Sequence, residues 1–223
     1  MIVMKEEQNV VVPGENLGER NGRRLGIGVY EEGSHVFSGV LGVPRATENE
    51  IFVIPHSGVY IPRQGDMVIG RIKSVEVSGW FVDINSPYLA FMPTSEAVDK
   101  FEAARSELSK FYGIGETIYC IVSKVTNEKN VQVSMDDRMA KKLENGVLLQ
   151  VVPTKVPRII GKAASMLKLI KSRTGCNLLV GQNGVVWLDG DDKTKAIESI
   201  LTIERESHFE GLTEKIEKLL GGS

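Results

Sequence analysis

Residues 153–176, PTKVPRIIGKAASMLKLIKSRTGC, hold six basic side chains (Lys155, Arg158, Lys162, Lys168, Lys171 and Arg173) and no acidic one, in a chain of formal net charge −2. Within the stretch, Ile159 and Ile160 lead into Gly161 and Lys162. Met166, Leu167, Leu169 and Ile170 then recur at helical spacing with lysines between them. The pattern demands a glycine turn followed by an amphipathic helix with one apolar face to bury. A glycine turn at a helix N-terminus offers backbone N–H groups and the positive end of the helix dipole to a phosphate, and Lys162 sits in that turn. Two readings follow from charge alone: a clamp on a nucleic-acid backbone, or an ordinary helix with a solvated lysine face.

A length of 223 residues, with 42% hydrophobic and 25% charged residues, allows one or two ordinary domains or three small ones. The near-neutral balance argues against wholesale electrostatic binding, so any nucleic-acid contact must come from a local patch. Cys120 and Cys176 stand far apart in apolar surroundings, and His35, His56 and His208 lack ligand spacing. No zinc site, other metal or cofactor is expected, and the cysteines are read as buried structural thiols. The opening MIVMKEEQNVVVPGE has no long apolar core or cleavage site, and no run approaches the roughly 20 apolar residues that span a bilayer. A cytoplasmic protein without a signal peptide or membrane partner is expected.

Residues 1–61 read as short strands broken by glycine turns. IGVYEE, HVFSGVLGV and EIFVIP carry the β-branched and aromatic residues, and the segment is acidic. It is smaller than most chains that fold alone. An interaction or docking role is preferred, with a plain β scaffold as the alternative. Gly26-Ile27-Gly28 is not a dinucleotide loop, because Glu31 stands where the third glycine belongs.

Residues 62–145 give five short strands: MVIGRIKSVEV, GWFVDIN, LAFMPTSE, ETIYCIVSKVT and VQVSM. Alternation places Val68, Gly70 and Ile72 on one face of the first strand, and Tyr119, Ile121 and Val125 on the apolar face of the fourth. Ser95 to Tyr112 reads as a helical insertion. Five strands with one insertion predict a small closed barrel of the oligonucleotide-binding kind. The run GDMVIGRIKSV…GWFVDI…LAFMPTSE…GETIYCIVSKV…NVQVSM resembles the S1 RNA-binding domain. That resemblance implies a base-stacking platform on the second and third strands, with Phe81 at one of its positions. Ser78 and Pro93 stand where the family commonly has an aromatic and a histidine. Phe91 is expected in the core. Arg71 and Lys73, on the first strand, could meet phosphate or could be ordinary solvated residues.

Residues 146–223 begin with a strand at 147–152 and continue through the basic turn and its helix. Two strands follow, NLLV and VVWL, joined by Gly181-Gln182-Asn183-Gly184, and then a helix from about Lys193 to Arg205. Asp191 and Asp192 sit where a helix wants an N-cap and are not read as catalytic acids. LTEKIEKLL is a short amphipathic helix. This order resembles a KH domain. Its phosphate-clamping loop here reads Gly161-Lys162-Ala163-Ala164, with alanine in place of the second glycine. Arg158, Gly161, Lys162 and Lys168 are the candidate RNA contacts of this half, and Ala164 narrows the backbone approach. The uncharged Gly181–Gly184 turn is expected to lock the KH-like half to the barrel.

The fold expected is therefore mainly β plus α+β: a small N-terminal β domain, an S1-type OB-fold barrel and a C-terminal KH domain. That order, with both short motifs, resembles the ribosomal RNA processing protein four family of archaeal exosome cap subunits. The resemblance implies a non-enzymatic subunit that binds single-stranded RNA with low sequence specificity. Three copies would cap a hexameric ring of phosphorolytic RNases, with the N-terminal segment docked on the ring. A stand-alone regulatory factor with S1 and KH modules is the alternative, although such chains usually carry two successive KH domains. A phosphorolytic nuclease resembling polynucleotide phosphorylase would need large catalytic domains and the opposite module order.

Overall fold

A computed structural model describes residues 10–97, 108–207 and 211–221. The chain divides into two compact units, Met1–Gly58 and Val59–Ser223.

The first unit is all β among its described residues. Strands β1 (Asn16–Glu19), β3 (Val29–Glu32) and β4 (His35–Ser38) form one antiparallel sheet with β4 in the centre. Strand β6 (Glu50–Pro55) pairs with β5 (Gly42–Ala46) on one side and with the two-residue β2 (Arg24–Leu25) on the other. Val36, Ile51 and Val53 are its buried centre. The three apolar runs of the sequence thus become strands. Val10–Val12 supplies only an isolated bridge from Val11 to Gly42.

In the second unit, β7 (Met67–Glu76), β8 (Gly79–Asp83), β9 (Ala90–Pro93), β10 (Thr117–Val125) and β11 (Val131–Ser134) close a five-stranded barrel. Neighbouring pairs run antiparallel except β9 and β11, and the β10–β11 pairing completes the ring. Trp80, Ile72, Met92, Ile118, Cys120 and Val122 fill the interior. Trp80 is fully buried, and its indole N–H donates to the Tyr112 carbonyl at 2.9 Å. Gly79 is required beside it, since a Cβ there would collide with the Met92 carbonyl oxygen. Burial pushes the Cys120 thiol up to about 12, so it remains an inert thiol inside the barrel.

Two sequence expectations change here. The interior face of β10 is Ile118, Cys120 and Val122, the opposite parity to the expected Tyr119 and Ile121, while Val125, beyond a register shift between Val122 and Lys124, packs against the barrel core as expected. Tyr119 is buried too, but against the KH half. The expected helix from Ser95 to Tyr112 falls largely on residues 98–107, outside the described residues, and its flanks Thr94–Glu96 and Leu108–Lys110 are single 3-10 turns.

After β12 (Lys141–Leu143), the KH half forms a three-stranded sheet of β13 (Val147–Gln150), β15 (Val185–Asp189) and β14 (Asn177–Val180), with β15 central. Helices α1 (Val156–Ile160), α2 (Ser165–Thr174), α3 (Lys193–Arg205) and α4 (Leu212–Leu219) belong to the same half. Val186 and Leu188 join a core with Ile159, Ile170, Ile200 and Ile216 from the helices. The alternate residues of the same strand, Val185 and Trp187, meet Ile69, Tyr119 and Leu143 of the barrel side. Asp192 caps α3 by accepting from the Lys195 N–H at 3.1 Å, which holds its carboxyl below the usual carboxylate range. Among the described residues no helix is long and apolar enough to cross a membrane.

The Gly181–Gly184 turn plugs into the barrel. Asn183 is fully buried, accepts from the Ile69 N–H at 3.3 Å, and donates to the carbonyls of Ile69 and Ile84 at 2.7 and 2.8 Å. Asn85 donates back to the Asn183 carbonyl at 2.9 Å, and the Gln182 N–H reaches the Met67 carbonyl at 2.8 Å. Gly184 has φ +76°, and a Cβ there would strike the Val151 carbonyl oxygen. The locking role expected of this turn is what its hydrogen bonds show.

Candidate nucleic-acid interface

The sequence-derived candidates fall into two groups, one on the barrel and one on the α1–α2 turn. On the barrel, strand alternation turns Arg71, Lys73 and Phe81 outward, and all three are exposed. Phe81 lies directly opposite Phe91 across the β8–β9 ladder, with ring centroids 5.2 Å apart. Phe91 is thus partly exposed on the outer face and not in the core, because its neighbours Ala90 and Met92 are the inward pair of β9. The sequence signal that could have found it is this register. A hydrophobe alternating with two others on a four-residue strand must share a face with its cross-strand partner. Two rings side by side offer a surface on which bases can stack.

The charges next to the rings are steered. Arg71 donates through Nε to the Gly115 carbonyl at 3.0 Å, which fixes its guanidinium beside the strand. Lys73 pairs with Asp83 at 3.3 Å. An exposed pair of this kind is weak in water, so a phosphate can compete for the ammonium.

On the KH half, Gly161 has φ +74° and ψ 170°, and a Cβ there would meet the Met166 backbone N at 2.8 Å. The turn therefore lies flat on the first turn of α2. Ala163 and Ala164 follow at φ +51° and +60°, both left-handed. No side chain caps α2, so no side chain competes for its first-turn N–H groups. Arg158 and Lys162 are exposed on α1 and the turn, and Lys168 is exposed on the first turn of α2. One helix–turn–helix thus carries three cations around uncapped backbone donors, an arrangement suited to phosphate oxygens and blind to sequence.

Two expected outcomes arise here. Replacing Lys162 and Lys168 with glutamate should weaken RNA capture and flatten its log–log salt dependence by roughly 1.4, two contacts at about 0.7 each for single strands. Filter binding across a salt series reads this directly, and an unchanged slope would move the phosphate contacts elsewhere. Ala164→Gly should raise stability by up to about 1 kcal/mol. It relieves about 1–2 kcal/mol of left-handed strain, partly offset by the greater freedom of glycine in the unfolded chain. A denaturant titration in which the glycine variant is less stable than the parent would show that the alanine carries no strain.

Comparison with known proteins agrees with this fold. Residues 59–124 match the model of the RRP4 S1 domain, and residues 146–194 match a KH domain model. The exosome complex component Rrp4 of Methanothermus fervidus is 39% identical, over 96% of this chain and 96% of its own length. Its counterpart in Pyrococcus horikoshii is also 39% identical, over 98% of this chain and 84% of its own length. A crystal structure assigned to an exosome complex RNA-binding protein superposes with a TM-score of 0.66 at 32% identity, covering 73% of this chain and 95% of that one. With likeness of this extent from end to end, the chain belongs to the Rrp4 family of exosome complex components.

Proposed function

We propose that this protein is a non-catalytic RNA-binding cap subunit of an archaeal-type exosome, acting in the cytoplasm. Three copies would sit on a hexameric ring of phosphorolytic RNases, capture single-stranded RNA and pass its 3′ end inward. The observation that carries the reading is the near-complete alignment with exosome Rrp4 proteins. The N-terminal domain (residues 1–61) takes the docking role. It leaves Val12, Ile27, Leu41 and Ile54 exposed, apolar side chains that a partner surface could cover. The barrel (residues 62–145) and the KH half (residues 146–223) hold the RNA.

The physical logic favours weak holding. A chain of net charge −2 with two small basic groups and one pair of rings binds a strand loosely and without regard to sequence, so the strand can slide. Tight base readout would stall a feeder. Native mass spectrometry of the tagged protein, isolated from its own cells at low salt, tests the assembly. Three copies bound to a six-membered ring are expected, whereas a monomer carrying RNA alone would favour the stand-alone regulatory factor. Release of nucleoside diphosphates from RNA and phosphate by the purified chain would overturn the non-catalytic assignment.

A further inference from the structure

A single turn holds one of the barrel's outward cations in place. Gly113-Ile114-Gly115-Glu116 leads into β10 and is bonded to β7 beside it. The Gly115 N–H donates to the Ile72 carbonyl, and the Ile72 N–H to the Glu116 carbonyl, both at 2.9 Å. Arg71 precedes Ile72 and donates from Nε to the Gly115 carbonyl at 3.0 Å. That carbonyl shares a peptide unit with the Glu116 N–H, which donates to the Gly113 carbonyl at 3.2 Å. The Glu116 carboxylate closes the turn from the other side, accepting from the Gly113 N–H at 2.9 Å. Lys142 of β12, cross-strand from Ile118, sets its ammonium 2.7 Å from the same carboxylate oxygen. With side chains 33% and 36% exposed, this pair is less screened than an open surface one and persists as salt rises. Against the pull of burial, the hydrogen bonds from Lys142 and Gly113 hold the Glu116 carboxyl below the usual carboxylate range.

Arg71 is exposed, and among the described residues no carboxylate pairs with it. With Nε engaged on Gly115, the Nη groups remain as an end-on fork, the geometry that grips phosphate oxygens in pairs. Such a fork binds best when it is already held, because a free side chain loses rotamer freedom on binding. We propose that Glu116 is a positioning residue for RNA: it fixes the 113–116 turn so that the Gly115 carbonyl holds the Arg71 guanidinium out toward a phosphate. The inference rests on the reading of this chain as an RNA binder with Arg71 among its contacts. It runs against simple electrostatics, by which a carboxylate in the turn beside a phosphate contact repels the strand and its removal tightens binding. Here the charge of Glu116 is matched by Lys142, and its hydrogen bond organises the cation, so its removal loosens binding.

Filter binding of oligoadenylate to the full chain across a salt series tests the assignment. Arg71→Ala should flatten the log–log slope by roughly 0.7, one single-strand phosphate contact. Glu116→Ala should flatten it by a similar amount and weaken binding at low salt, although it removes a negative charge. Glu116→Met, which keeps the length of the side chain and loses the acceptor, should do the same and serves if the alanine variant does not fold. Glu116→Gln, whose amide oxygen still accepts from Gly113, should restore the parental slope. In the Arg71→Ala background Glu116→Ala should leave the slope unchanged, because the group it positions is gone. Tighter binding with a parental slope in the alanine and methionine variants would overturn the positioning role. A glutamine variant as impaired as the alanine one, or an unchanged slope in Arg71→Ala, would overturn it too. If the glutamate variants of the basic turn still lose binding in those cases, the RNA reading stands without it. No binding of oligoadenylate by the parent chain would remove both.

Discussion

Asn183→Ala should lower the stability of the second unit by about 3 kcal/mol or more, the largest loss expected from a single polar substitution in this chain. The side chain is fully buried and makes three hydrogen bonds to the backbone of β7 and the segment that follows β8. Alanine removes all three partners at once. Each buried backbone group left unsatisfied costs about 1–3 kcal/mol, and no water need reach it in a sealed turn. For a unit of this length each kcal/mol shifts the melting temperature by about 2–4 °C, so a fall of about 10 °C is expected by calorimetry. Asn183→Asp tests the same site differently. It keeps the shape but turns a carboxylate oxygen toward two carbonyl oxygens, so it should be no better tolerated at neutral pH. A melting point within a degree of the parent for both variants would show that the turn is not what joins the two halves.

The paired change Phe81→Ala and Phe91→Ala should reduce affinity for short single strands by about 10- to 100-fold while leaving the fold intact. Stacking contributes about 1–3 kcal/mol per base, and two rings 5.2 Å apart across one ladder form a platform whose members support each other. Phe81 is 36% exposed, so its truncation removes little from the core. The single variants should each show part of the loss, and because the rings touch, the sum need not equal the double. Fluorescence anisotropy with a labelled oligomer, set beside a thermal melt, separates the outcomes. Lower stability with unchanged affinity would make the rings structural, and the RNA would have to be held by charge alone.

Much of the second unit was legible because its signals are local. The helix over Lys193–Arg205 is announced by its aspartate cap and its apolar spacing, and the Gly79-Trp80 pair by its place in the run that resembles an S1 domain. What escaped depends on which face of an element meets which neighbour. Tyr119 and Ile121 alternate as cleanly as Ile118 and Cys120, and periodicity cannot say which set fills the barrel when both faces of a strand are partly covered. Phe91 was misplaced for a related reason, since strand pairing had to be known before its partner could be. The charges of the basic turn were evident from composition. The left-handed backbone of Ala163 and Ala164 was not, because alanine gives no hint that its residue will occupy a position glycine would prefer.

Strand β15 belongs to two cores at once, Val186 and Leu188 to one and Val185 and Trp187 to the other. Such a strand is a party wall. Neither half can be redecorated without regard to the tenant on the far side, so a change on one face of the strand has to be matched on the other. A KH half grafted from a relative would need its Trp187-bearing face refitted to the host barrel. The part that can be moved intact is then the whole stretch from Val59 onward, and the familiar boundary between two RNA-binding modules is a line drawn through the middle of one object.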